Sequence, residues 1–291
     1  MQFIDFAVIA AFLAMLCHAF GDFFIQRSVR KVGNLESLAI ISLFGFLAVT
    51  PFVLSDWQLV LAPQNLAVLL AVSVVTLFAA ILNFEALRAG KLSVIEALMQ
   101  FELPATVFLG FFLFGESLSQ TQVALIALVF AGLFFVSLES LSLSSVFKKV
   151  EKGAAVALAS AVGLAFVNFL TASASKQVSP FHAIWLPWLL LTIYCLAYLW
   201  KKGLLKTFYK NSLLYKKTVF AMAFFDSAAW VLFAIAVVDA ELSIMGTITQ
   251  SYPVAAMALG VLVNKEKVAP HQLLFGALTI AATIALGLVS G

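Results

Sequence analysis

Charge is what this 291-residue sequence has least of. Asp, Glu, Lys and Arg make up 11% of it, less than half of the roughly 25% found in a soluble domain. With 64% hydrophobic residues, the chain has too little polar surface to cover itself in water. That excludes an ordinary soluble fold and leaves an integral membrane protein. Cysteine is scarce as well. Cys17 and Cys195 lie in apolar runs without metal-ligand spacing and read as small apolar fillers. There is no glycine-rich phosphate loop, zinc-spaced histidine pair or nucleophile elbow. His18, His182 and His271 fall on separate segments and form no triad. These absences argue against an enzyme, a metal site or a cofactor. The start, Met1-Gln2-Phe3-Ile4-Asp5, lacks the positive region of a cleavable signal, so the first helix is expected to be retained. The net charge of +3 is spread over short connections and forms no stripe for nucleic acid.

What is present is a series of apolar runs. A helix needs about 20 apolar residues to cross the hydrocarbon core. Ten runs qualify: 3–25, 35–54, 65–87, 92–114, 120–140, 153–175, 181–200, 213–237, 242–263 and 269–289. They are too long, and alternate too little in polarity, for barrel strands. The connections are short and marked by breakers such as Gly33-Asn34, Pro63 and Pro270. The longest, Lys201 to Lys217, holds six lysines. Arg27, Arg30, Lys31, Arg88, Lys91, Lys148, Lys149, Lys152, Lys265 and Lys267 join those six on one side; only Lys176 follows a run that ends on the other. Positive connections stay in the cytoplasm, so both termini are expected on the non-cytoplasmic side.

The chain also repeats itself. At an offset of 150, Leu92, Ser93, Gln100, Ala105, Leu109, Gly110, Glu116 and Gln122 meet Leu242, Ser243, Gln250, Ala255, Leu259, Gly260, Glu266 and Gln272. Pro104 and Pro253 miss by one. Five spans per half is an odd number, so the second half crosses in the opposite sense. The expectation is an all-α membrane protein of ten transmembrane helices in two inverted five-helix repeats, 1–145 and 146–291. Such repeats build transport paths between them.

Charged groups inside a bilayer are costly and need a reason. Glu102, about 15 Å along the fourth run, and Asp226, central in the eighth, have no lysine or arginine at their depth. Each is a candidate for binding substrate or a proton. The alternative is a neutral structural acid bonded to Asn168, Gln250 or Tyr252, since a carboxyl cut off from water favours its uncharged form. Glu96 and Gln100 share a helix face. Glu102 lies about 200° from Gln100, so both glutamates face one cavity only if the chain bends at Pro104. Glu96 is also near enough in sequence to reach Arg88 or Lys91. Trp230, four residues after Asp226, would add a ring beside a carboxylate, suited to an organic cation; packing is the alternative. His18 and Asp22 are one turn apart and could titrate together, but Asp22 reads as an interfacial partner of Arg27 and Arg30. Glu85 and Arg88 read as a structural pair. Glu116 and Glu266 are expected to bond the first turn of the next helix.

Ten spans in a five-plus-five repeat, with a proline-bearing fourth and ninth span each closing on a glutamate (Gly115-Glu116 and Lys265-Glu266), resemble the EamA-like branch of the drug/metabolite transporter superfamily. The resemblance implies a secondary-active transporter and favours export. The base-free, acidic interior points to a cationic or zwitterionic small molecule, and to an antiporter in which H+ competes for the same carboxylates. A carrier of neutral or anionic metabolites is the alternative, as is a non-transporting membrane protein such as an assembly subunit. A monomer or homodimer in the lipid bilayer is expected.

Overall fold

The computed structural model of the chain describes residues 5–89, 92–138 and 152–290. Every regular element in them is helical. The first half comprises α1 (Phe6–Val32), α2 (Asn34–Leu54), the single turn α3 (Gln58–Leu61), α4 (Pro63–Ala89), α5 (Leu92–Met99), α6 (Glu102–Leu109) and α7 (Gln120–Ser137). The second comprises α8 (Lys152–Gln177), α9 (Pro180–Lys201), α10 (Leu205–Leu214), α11 (Lys216–Ala236), α12 (Leu242–Gln250), α13 (Tyr252–Asn264) and α14 (Pro270–Ser290). Ten candidate membrane spans result, with Val94–Phe114 and Leu242–Asn264 each made of two half-helices. The lysine-rich connection after α9 is largely helical. It winds into α10, whose Tyr209, Leu213 and Leu214 are exposed. Apolar exposure combined with lysines is the composition of a helix lying in the membrane interface.

The packing is that of a lipid-solvated bundle. Along α1 the buried residues are mostly Ala7, Ala10, Ala11, Ala14, Ala19 and Gly21, whereas Phe6, Leu13, Leu16 and Phe20 point outward. Lipid tails are as apolar as leucine, so large side chains gain little by hiding; small ones let helix backbones approach. At Gly132 in α7, an added Cβ would lie 3.2 Å from the Phe275 carbonyl of α14.

The helix contacts follow one symmetry. α1 packs along α11, and α4 along α8; α2 packs on α9, and α7 on α14. Shifting every span by five exchanges the first two pairs and returns the last two to themselves. Ser42 and Thr192 sit on that axis: they are 150 residues apart, and Thr192 donates to the Ser42 hydroxyl at 3.0 Å. The repeated glutamines have one job in both halves. Gln122 Oε1 accepts from the Ser119 N–H at 2.8 Å, and Gln272 Oε1 accepts from the Ala269 N–H at 2.9 Å, each closing the first turn of its helix. The expected boundary at 145/146 lies outside the described residues.

Candidate functional site

The fourth and ninth spans are interrupted near their middles. α5 stops at Met99 and α6 restarts at Glu102; α12 stops at Gln250 and α13 restarts at Tyr252. Pro104 and Pro253 fall in the first turn of each restarting helix, where a missing N–H costs nothing because that position has no intrahelical acceptor. The bend anticipated at Pro104 is therefore a break just before it. Leu103 N–H picks up the Gln100 carbonyl at 3.2 Å. Each restart presents a helix N-terminus, the positive end of its dipole, to the interior.

Glu102 and Tyr252, themselves 150 apart, are the first residues of the two restarting helices. Their neighbours are repeat mates too. Glu102 Oε1 accepts from Asn168 Nδ2 at 2.8 Å and from Gln250 Nε2 at 3.0 Å. Asn168 Nδ2 also donates to the Thr106 hydroxyl at 3.2 Å. Tyr252 packs on His18, ring centroids 5.3 Å apart, and His18 meets Trp230 edge-on at 5.6 Å. His18 is the mate of Asn168, so one contact, Glu102–Asn168, is echoed by another, Tyr252–His18, with different chemistry.

Asp22, Glu96, Glu102 and Asp226 all lie within electrostatic range of the Tyr252 hydroxyl, and Asp22 lies within the same range of Glu96 and Asp226. Gly21 makes the Asp22–Asp226 approach possible. A Cβ there would stand 3.2 Å from the Asp226 backbone nitrogen, so α1 and α11 touch main chain to main chain beside the two acids. None of the four acids has an acidic mate: the counterparts of Asp22, Glu96, Glu102 and Asp226 are Ala172, Gly246, Tyr252 and Thr76. Symmetry of the scaffold therefore does not require them.

Asp22 is the residue that the sequence reading misplaced. Among the described residues it forms no ion pair with Arg27, whose guanidinium lies 4.1 Å from the Phe23 ring centroid and donates to Asn264 Oδ1. Arg27 stands about 140° around the helix from Asp22 at 100° per residue, so closeness in sequence put it on another face. Gln100 does not join the group; its Nε2 donates to the Glu96 carbonyl of its own helix at 3.2 Å. Thr106, one turn after Glu102, was overlooked although that spacing predicts a shared face. The partners expected for Glu96 and Glu85, Lys91 and the side chain of Arg88, lie outside the described residues.

Glu116 also departs from expectation. It does not bond the next helix, α7, whose start is already closed by the Ser119–Gln122 capping box. It reaches across the fold to α12, accepting from the Ser243 N–H at 3.0 Å and from the Leu242 N–H and Ser243 hydroxyl. Lys176, the lone cation of that face, donates to the Ala240 carbonyl at 3.1 Å. Glu241 precedes α12. Partial burial and the nearby Glu116 charge push its carboxyl above the ordinary range, and Lys176 opposes them.

The sequence matches the profile of the EamA-like transporter family twice, over residues 5–138 and 151–288. Among solved structures, a crystal structure of a protein superposes with a TM-score of 0.75, covering 98% of this chain and 97% of that chain at 16% identity. At that identity the likeness speaks for the fold. No curated protein matches the sequence.

Proposed function

Because the chain belongs to the EamA-like transporter family, a family of membrane transporters of small solutes, we propose that this multi-pass membrane protein carries a small organic cation or zwitterion, in exchange for protons, by alternating access. The observation that carries the reading is the gathering of Asp22, Glu96, Glu102 and Asp226 around Tyr252, with Glu102 and Asp226 at a depth where the sequence has no lysine or arginine. One carboxylate that takes either a proton or a cation couples the two by competition. His18, Trp230 and Tyr252 supply a ring wall against which an ammonium group is attracted.

The asymmetry of the acids supports a direction. Glu96 and Asp22 lie toward the face of Arg27, Arg30 and Lys265, and Glu96 is exposed. If that basic face is cytoplasmic, as positive connections prefer, solute is attracted from the cell interior and the termini are outside. This supports export across the cell membrane.

The test is current in proteoliposomes on addition of organic cations, amino acids and organic anions, with and without a pH gradient. Cation currents that disappear in Asp226→Asn and fall in Glu102→Gln are the expected result. Responses confined to neutral or anionic solutes, unaffected by either substitution, would make the acids structural. They would also move the site to the helix N-termini at Glu102 and Tyr252, which suit anionic groups.

A further inference from the structure

The two halves carry the same turn. Gly115 and Lys265 both adopt the left-handed conformation, φ 67° and 56°. The N–H groups of Glu116 and Glu266 then return to the carbonyls of Gly110 and Gly260, at 3.4 and 3.2 Å. Both carboxylates fold over those glycines; a Cβ at Gly260 would stand 2.7 Å from Glu266 Oε2. Identical turns end in opposite situations. Glu116 is 9% exposed and caps the first turn of α12, whose Leu242 and Ser243 are fully buried. Glu266 is exposed, and what it accepts is an amide hydrogen from Asn264, two residues away, at 2.7 Å. By the repeat offset, the mates of Leu242 and Ser243 are Leu92 and Ser93, the first residues of α5.

We propose that Glu116 and Glu266 are reciprocal latches. Glu116 holds the first turn of α12 and shuts the face of Lys176. Glu266 takes the backbone N–H groups that open α5 when the molecule shuts the basic face instead. The inference rests on the alternating-access reading above and specifies which residues hold each end state. A carboxylate at a helix start satisfies otherwise unpaired donors and meets the positive end of the dipole. Among the described residues only the Glu116 latch is engaged in this conformation, so each glutamate has a differential interaction with the two states, as a population shift requires.

The experiment measures distance between nitroxide labels at Ser117→Cys and Asp239→Cys, exposed positions flanking the Glu116 cap. The background carries Cys17→Ala and Cys195→Ala, in lipid nanodiscs. Glu116→Ala should raise the ratio of long to short distances by about two- to thirty-fold, the range expected for losing a helix cap. Adding Glu266→Ala to that variant should lower the ratio again by a similar factor. Glu116→Gln, which keeps the shape but not the charge, gives a smaller shift in the same direction if the alanine variant does not fold. An unchanged ratio on removing Glu116, or a double variant that keeps the distribution of the single one, overturns the proposal. No solute enters the measurement. Failure of transport in liposomes therefore strikes the carrier reading, and unresponsive distances strike the latch.

Discussion

At the scale of single residues, the site is a set of bonds made where water is scarce. Asn168 is the donor shared between Glu102 and Thr106, so Asn168→Ala should cost about 1 kcal/mol, the usual net value of such a bond between membrane helices. The check is a lower thermal midpoint of the purified protein in detergent. Glu102, Asp226, Asn168, Gln250, Tyr252, His18 and Trp230 were legible in the sequence as polar or ring-bearing residues far from either end of a span. Asp22 was not, because a basic residue five positions away looks like a partner in a linear string and stands on another face in a helix. Glu116 was legible as half of a repeat, but its partner is 126 residues away, and no local spacing encodes a contact of that range.

At the scale of helices, position depends on how closely main chains approach. Gly21 is the closest such point at the site, so Gly21→Val should force α1 away from α11 and cost about 1–3 kcal/mol as overpacking. Thermal melting would measure the loss, and solute binding should weaken in parallel because Asp22 and Asp226 part. The ten spans themselves were readable from hydropathy, since a bilayer imposes a length. The interruptions were half-readable. Proline signalled irregularity, but proline is tolerated best at a helix start, so the break comes before it and Glu102 and Tyr252 become N-terminal residues. α10 was hidden because a ten-residue lysine-bearing segment is too short and too polar to register as a span.

At the scale of the whole molecule, an odd number of spans per half dictates inversion, and the packing of α1 on α11 and α4 on α8 obeys it. Each half therefore finds most of its buried surface in the other. Separately expressed segments 1–145 and 146–291 should assemble into a species of full size when produced together, and neither should yield a stable product alone. Co-purification through a tag on one segment is the measurement. The Ser42–Thr192 contact gives this a historical reading. On a two-fold axis, a residue meets its own counterpart. In a five-span ancestor of half the length, that bond would have joined two copies of one side chain, in two identical subunits inserted in opposite directions. Fusion of two such copies would free each to change alone, and the four acids without acidic mates are positions where the two halves now differ.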